Sequence, residues 1–359
     1  MISYLVSTGT ILKEYLEVRN VTQKELANET GYSEKHISNI ISGKAKVTDE
    51  FAYKLEKVFP DVKAEFWLRI EGEYRLNLLR AEAKKKEFEN LDLKTISKEY
   101  QFDYVFKGLN YSIEKKADEM LKLLGVNNFE VANESAVKQK QLVSFFHDGG
   151  NPKAQLVWIK LCENEFDIQN DIRSIKEFNK ELLVNQLKTL KKIINTIDYE
   201  FMINNVRRFL NNFGIGLVIM EAVPTSLIRG AATVVDGIPA IFMSTRYKRL
   251  DSFYFTLFHE IKHIIEDDIY KGGYLEITYE KDEREILSHD FARKYLIDEK
   301  EFKEFLEKRN EIESKDIIAF ANSQGVVVDI IIGFLERAME HEFGTPIYGK
   351  FQNLRTKIE

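Results

Sequence analysis

The stretch Asp251-Ser-Phe-Tyr-Phe-Thr-Leu-Phe-His259-Glu-Ile-Lys-His263-Ile-Ile265 decides the fold of the carboxyl-terminal part of this 359-residue chain. Its apolar residues recur at helical spacing, so the sequence predicts one amphipathic helix here. At about 100° per residue the helix has two distinct faces. The polar face carries Thr256, His259, Glu260 and His263, and the apolar face carries Leu257, Ile261, Ile264 and Ile265. We expect the apolar face to be buried and the polar face to line a cleft.

Within this helix, His259, Glu260 and His263 follow the pattern H-E-x-x-H. Two imidazoles four residues apart project from the same face and can share one Zn²⁺. Glu260 lies one step round the helix, where its carboxylate can act as general base towards a water on the metal. The motif therefore predicts a zinc peptidase centre, and the alternative is a solvated helix with two histidines. Imidazole-rich ligation favours Zn²⁺, with Mn²⁺ as the second candidate.

Composition limits the classes of function that remain. The net charge is -6 and the pI about 5.8, so any contact with DNA must be local. The single cysteine, Cys162, excludes an intramolecular disulfide and a cysteine-based zinc cluster, and it favours a reducing compartment. No signal peptide or membrane-spanning run is recognisable. We therefore expect a cytoplasmic protein that does not contact membranes.

The pattern of helical and strand signals divides the chain into three regions. Taken together, these regions predict an α+β fold that is mostly α. Residues 1–80 form a helix-turn-helix bundle, 81–200 a charged helical connecting or dimerisation region, and 201–359 the domain with the motif. In the last region a small antiparallel sheet, with an Asp236-Gly237 hairpin turn, precedes the motif helix. Further helices follow it. In the middle region, Trp158 is expected in the core rather than in a binding site.

The segment from Val21 to Ser33 predicts two short helices joined by a turn. Thr22 and Glu25 form a capping box, Gly31 supplies the turn, and a second helix follows Ser33. The second helix leaves polar residues facing outward, as a recognition helix for double-stranded DNA requires. The candidate DNA-binding residues are Gln23, Lys35, His36, Ser38, Asn39, Lys44 and Lys46. The alternative for this module is a helix-turn-helix used only for dimerisation.

These motifs together resemble a known family arrangement. The chain is similar to Xre-type helix-turn-helix regulators fused to an ImmA/IrrE-family zinc metallopeptidase domain, with a front part like the HigA-type antitoxin subgroup. The resemblance rests on the helix-turn-helix, on Ala64-Glu-Phe-Trp-Leu68, on Ile228-Arg-Gly-Ala231 and on the H-E-x-x-H motif. It implies a zincin-like carboxyl-terminal domain and a homodimer that binds operator DNA.

The same resemblance places a third metal ligand on the following helix. When Phe291-Ala292 is set in the family's register, Glu285 becomes the ligand that joins His259 and His263. Glu283, Asp282 and His289 are the rival ligands. The chain departs from the family pattern at His289, where an Asp or Asn is expected, and at Lys262, where Gly is frequent. The oxyanion stabiliser stays open between Arg246, Tyr247 and His289.

Two functions of different class follow. The first is a DNA-binding regulator with an endopeptidase domain that cleaves a repressor or partner regulator, with Glu260 as the catalytic residue. The second is an antitoxin-like repressor whose peptidase-like domain binds a toxin or other partner, or senses a signal, without proteolysis. The retained H-E-x-x-H motif favours the first, and the two departures favour the second.

Overall fold

The computed structural model describes residues 6–142, 144–147, 149–266 and 283–356, and within them it leaves out the side chains of 85, 139–142, 144–147 and 283–285. The chain forms two compact units, Met1–Leu93 and Lys94–Glu359. Residues 94–200 therefore belong to the same unit as the motif helix, whereas the sequence pattern separates them from it.

The amino-terminal unit is a bundle of five helices in its described part: α1 Thr8–Val18, α2 Gln23–Thr30, α3 Glu34–Ile41, α4 Asp49–Val58 and α5 Ala64–Glu89. The local signals in the sequence are borne out. Thr22 and Glu25 form the capping box of α2, and Ser33 caps α3 by accepting a hydrogen bond from the His36 amide. Gly31 ends α2 with φ +70°, a conformation that glycine adopts without steric penalty.

The core of this unit depends on a close crossing of α1 and α3. Leu26, Ile37, Phe51 and Trp67 are fully buried in it. At Gly9 of α1, an added Cβ would lie 2.1 Å from the carbonyl oxygen of Ile40 and 2.5 Å from that of Ile41. Only a residue without a side chain fits there, so Gly9 sets the distance between α1 and the end of α3.

The second unit combines helices with one sheet, and its elements have the following bounds: α6 Leu93–Glu99, α7 Phe102–Val105, α8 Ile113–Leu124, α9 Phe129–Leu142, β1 Ser144–His147, α10 Pro152–Gln169, α11 Lys180–Ile193, α12 Tyr199–Asn212, β2 Gly216–Met220, β3 Ile228–Val235, β4 Ile238–Ser244, α13 Leu250–Ile265, α14 Glu283–Leu296, α15 Glu299–Glu307, α16 Ser314–Gln324 and α17 Val328–His341. After residue 200 the structure contains the predicted hairpin at Asp236-Gly237, the predicted motif helix and the further helices expected after it. Trp158 of α10 is fully buried, as expected of a core residue.

The sheet is mixed, so the expectation of an antiparallel sheet is wrong. Its order is β1-β3-β4-β2. β3 and β4 form the predicted hairpin, but β2 pairs with β4 in parallel. The reason is that residues 221–227 carry the chain from β2 across to β3 on the far side of β4. β1, from the region expected to be helical, pairs antiparallel with β3.

Side-chain amides cover the outer edge of β2. The Asn170 amide group donates to the carbonyl oxygen of Leu217 and accepts from its N–H, at 3.1 and 3.0 Å. Gln169 does the same for Ile219, with both distances 3.0 Å. These two amides replace the hydrogen bonds of a further strand, so they protect this edge from pairing with another chain.

Helix α13, which carries the motif, is buried on both its polar and its apolar face. Strand β3 and helices α14 and α17 all pack against it. Its start is fixed by a four-charge cluster, which we define as Arg249, Asp251, Glu336 and Arg355. Each arginine binds both carboxylates at 2.7 to 3.0 Å. Arg355 and Glu336 are only 5% and 6% exposed in their side chains, so the cluster ties the chain terminus to the motif helix.

Next to the four-charge cluster, Thr356 donates hydrogen bonds from its amide and its hydroxyl to the Asp329 carboxylate, at 3.0 and 2.9 Å. Burial raises the pKa of Asp329, and the two bonds from Thr356 offset this only in part.

Among the described residues, no single helix has the length and apolar character to cross a membrane. The bent pair Ser314–Gln324 and Val328–His341 passes that test only when the two are taken together.

Candidate metal centre and candidate DNA-binding surface

The two motif histidines face each other at the centre of α13. The Nε2 atoms of His259 and His263 are 3.1 Å apart, and both side chains are buried, at 0% and 1% exposure. A tetrahedral zinc ion at about 2.0–2.1 Å from two imidazole nitrogens holds them about 3.3–3.4 Å apart. The pair therefore fits a shared ion with almost no adjustment.

Three of the four candidates for the third ligand have side chains outside the described part of the chain. Among the described side chains, no group of three or more His, Cys, Asp or Glu is arranged to hold a metal ion. Glu285 lies in the first turn of α14, a helix that packs against α13. Its side chain and that of Glu283 are outside the described part, and Asp282 lies outside it entirely.

Glu260 is completely buried and packs against strand β3. The contact is made at Gly230, where an added Cβ would lie 2.9 Å from Glu260 Oε1 and 2.6 Å from Thr256 Cγ2. A side chain at position 230 would displace the carboxylate from this place. Gly230 is therefore part of the site, because it creates the space in which the proposed base sits.

His289 lies beside the pair of motif histidines. Its ring centroid is 4.9 Å from that of His259 and 5.4 Å from that of Phe255. Lys262, the other departure from the family pattern, is half-buried and forms an ion pair with Glu266 at 2.6 Å. Its ammonium group also lies 5.4 Å from the centre of the Phe291 ring. Lys262 thus points along α13 and α14 and contributes to packing there.

Of the two other oxyanion candidates, Arg246 has a structural contact. Its Nη1 donates to the carbonyl oxygen of Leu227 at 2.9 Å, and its guanidinium group lies 4.8 Å from the Tyr247 ring. Leu227 has φ +51°, a strained conformation for a branched residue. Arg246 therefore holds the bend that leads into β3, and through it the position of Gly230.

The candidate DNA-binding residues lie in and around α3, but they are not equally accessible. Lys35 and Ser38 are exposed on α3, Gln23 is exposed at the start of α2, and Lys44 and Lys46 are exposed after α3. Asn39 is half-buried. His36 is half-buried as well, because its ring stacks on Tyr32 at 4.8 Å with an interplanar angle of 19°.

A residue that the sequence pattern did not single out orders the loop after α3. Arg75 of α5 donates from Nη2 to the carbonyl oxygens of Gly43 and Ala45, at 3.4 and 3.2 Å. Its Nε binds Glu71 at 2.7 Å, and Glu71 is 7% exposed. The backbone between Lys44 and Lys46 is therefore fixed from behind. An Arg four residues after a Glu on a helix is the only sequence signal for this role.

The amino-terminal unit is a helix-turn-helix domain of the DNA-binding type. A family model described as helix-turn-helix matches residues 12–67. The chain is also similar to virulence-associated protein A of Dichelobacter nodosus, with 37% identity over 70 residues, which span 19% of this chain and 69% of that protein. Virulence-associated protein A' of the same organism is 30% identical over 69 residues, 19% of this chain and 60% of its own length. Through this segment the chain belongs to the helix-turn-helix family that includes virulence-associated protein A.

Two solved structures are similar to a quarter of the chain. One is the Pseudomonas aeruginosa antitoxin HigA with the higBA promoter, at 23% identity, covering 25% of this chain and 97% of that chain with a TM-score of 0.22. The other is an addiction module antidote protein of the HigA family from Coxiella burnetii, at 24% identity, covering 24% and 94% with a TM-score of 0.22.

Proposed function

We propose that this protein is a DNA-binding transcriptional regulator with a zinc-dependent endopeptidase domain, which cleaves a repressor or partner regulator. The observation that supports the enzyme is the buried pair of imidazole nitrogens 3.1 Å apart, with the Glu260 carboxylate next to them on the same helix. The observation that supports the regulator is the family match over residues 12–67.

In this proposal His259 and His263 hold the metal, and Glu285 completes the ligand set. When bound, zinc supplies a Lewis acid that polarises a carbonyl group and makes water a better nucleophile. The Glu260 carboxylate accepts a proton from the attacking water and passes it towards the leaving amine.

The enzyme half is tested with Glu260→Gln, which keeps the size of the side chain and removes the base. We expect about one zinc per chain in both proteins by elemental mass spectrometry. We also expect cleavage of the neighbouring-gene products, read by mass spectrometry, only without chelator and only in the unchanged protein. Glu266→Gln is the matched control, because it makes the same change at the exposed residue that ends the same helix. Undiminished cleavage by Glu260→Gln would reject the mechanism.

The regulator half is tested by DNA binding to the promoter of its own gene at several salt concentrations. Lys44→Gln and Lys46→Gln are each expected to weaken binding and to lower the slope of log affinity against log salt by about one. Lys13→Gln on α1 is the control, since Lys13 is an exposed lysine paired with Glu17 outside the turn and recognition helix. An equal effect of all three changes would contradict the assignment of this surface.

A second function is favoured by one observation: His289, which stands where the family pattern has Asp or Asn, lies with its ring centroid 4.9 Å from that of His259. In this alternative the protein is an antitoxin-like repressor, and its second unit binds a partner or a signal without proteolysis. Purified protein that protects its promoter, contains no zinc after growth in zinc-replete medium and cleaves no candidate protein would favour the repressor over the enzyme.

A further inference from the structure

A cleft of about 360 Å³ opens between helices α13 and α17. Ser252 and Phe255 of α13 line it, and they precede His259 by seven and four residues. Residues at these spacings lie on one face of a helix. The cleft therefore continues, towards the start of α13, the same face that carries the two imidazoles. Its size lies at the lower end of the range for ligand pockets.

A narrower space adjoins the cleft and lies beside the proposed base. It has about 20 Å³, and Tyr247 and Ser252 line both spaces. Thr256 also lines the narrower one. Thr256 and Glu260 pack together against β3, since an added Cβ on Gly230 would lie 2.6 Å from the first side chain and 2.9 Å from the second. The cleft and the Glu260 carboxylate are therefore connected through neighbouring residues of one helix face.

The charges in the wall of the cleft balance. Among the described residues that line it, the arginines and the carboxylates are equal in number: Arg229, Arg249, Arg337, Asp251, Glu336 and Glu340. Two of these carboxylates are bound by arginines within the four-charge cluster. The third, Glu340, accepts a hydrogen bond from the Tyr348 hydroxyl and lies 3.8 Å from the exposed His341 ring. Neither an acidic nor a basic side chain therefore gains from a net charge in this wall.

Aromatic rings form much of the remaining wall. Tyr247, Phe255, Phe334 and Tyr348 all line the cleft. Phe334 packs edge-on against Phe255, with the ring centres 6.3 Å apart. The Arg337 guanidinium lies 5.2 Å from the centre of the Phe255 ring. Aromatic rings pack edge-on or offset against one another, and guanidinium planes stack on them as well. The wall therefore favours a further ring over an aliphatic or charged group.

We propose that this cleft takes an aromatic side chain of the protein substrate, at a residue next to the bond that is cleaved. The inference rests on the proposed peptidase function and adds the class of substrate. One turn of helix rises about 5.4 Å, and neighbouring Cα atoms of a peptide are about 3.8 Å apart. A side chain that adjoins a bond held at His259 and Glu260 can therefore reach the cleft one turn away. Its burial there corresponds to a preference of roughly 10- to 150-fold for Phe over Ala.

The test begins with peptide binding to full-length Glu260→Gln, which is expected to bind a substrate without cleaving it. Capped pentapeptides with Phe, Leu, Ala, Glu or Lys between two alanines on each side are titrated by calorimetry. We expect Phe to bind roughly 10- to 150-fold more tightly than Ala and roughly 2- to 12-fold more tightly than Leu. The Glu and Lys peptides are expected to bind no more tightly than the Ala peptide.

Two changes in the wall test where the side chain binds. Ser252→Leu, which fills the cleft, is expected to remove most of the preference for Phe over Ala, and Phe334→Leu to remove most of that for Phe over Leu. Ser323→Leu and Phe320→Leu are the matched controls, because they make the same changes on α16 at residues that do not line the cleft. Each ratio compares two peptides on one protein, so a smaller folded fraction cannot imitate a changed preference.

The cleaved neighbouring-gene product gives a second readout. We expect its cut to adjoin a Phe, Tyr or Trp, and kcat/KM to fall about tenfold or more when that residue is changed to Ala. A cut with no aromatic residue beside it overturns the inference and leaves the peptidase function standing. Equal binding of the Phe and Ala peptides, or equal effects of Ser252→Leu and Ser323→Leu, also overturns it. Phe-selective binding that Ser252→Leu removes, without cleavage of any candidate, supports the cleft as an aromatic side-chain site and counts against the peptidase function alone.

Discussion

Replacing Gly9 by Ala is expected to loosen the amino-terminal unit without affecting the second one. The new Cβ would lie 2.1 Å from the Ile40 carbonyl oxygen, whereas carbon and oxygen atoms normally approach to about 3.3 Å. Relief of the clash therefore requires a shift of about 1 Å. The obstacle is backbone and cannot rotate away, so we expect the upper end of the range for overpacked cores, about 3 kcal/mol.

This loss is measured by hydrogen exchange of the full-length chain, followed by mass spectrometry of its peptides. A destabilisation of about 3 kcal/mol lowers the protection of α1 and α3 amides by roughly 100-fold. Peptides from α10 and β4 serve as the internal reference, because they belong to the other compact unit.

Gly72→Ala is the matched control, since a Cβ at this position of α5 meets nothing within 4 Å. That change is expected to leave protection unchanged or to increase it, because Ala favours a helix by up to about 1 kcal/mol over Gly. If Gly9→Ala leaves the protection of α1 and α3 within threefold of the unchanged protein, the close crossing does not control this unit and our reasoning is refuted.

Three further changes act in the second unit. Arg355→Met removes two ion pairs from the four-charge cluster. It is expected to lower the free energy of unfolding of the unit, measured with urea, by about 3–5 kcal/mol. A loss below about 1 kcal/mol would contradict a structural role for Arg355. Asp329→Asn is expected to flatten the dependence of the free energy of unfolding on pH. The pKa of Asp329 is raised in the folded state, so this residue stabilises the fold below its unfolded-state pKa of about 3.9 and loses that contribution as pH rises through its folded-state pKa. Equal slopes of stability against pH in both proteins would be the contrary result. Gly230→Ala is expected to slow the proposed cleavage about tenfold or more with zinc content unchanged, since it displaces Glu260; an unchanged rate would remove Gly230 from the site.

The sequence predicted those parts of the molecule that depend on local signals. The capping box of Thr22 and Glu25, the turn at Gly31 and the hairpin at Asp236-Gly237 involve neighbouring residues, so they can be recognised in one sequence. The facing imidazoles of His259 and His263 are also local, since the helical repeat alone brings them together.

The features that the sequence did not predict depend on residues far apart in the chain. The parallel pairing of β2 with β4 depends on the path of a loop, and no short pattern specifies it. The pairing of Phe145 with Ala231 joins positions in two different predicted regions. Likewise, the contact of Gly230 with Glu260 and the arginines of the four-charge cluster appear only when distant segments have packed.

The position of β1 has a consequence for the order in which the two units form during synthesis. All residues of the amino-terminal unit have been made once the chain passes residue 93. β1, in contrast, must wait for β3 and β4, so the sheet cannot close before residue 244 has been made. Domains generally fold as units in the order of translation. A nascent chain can thus present a finished helix-turn-helix while the unit with the histidine pair is still incomplete.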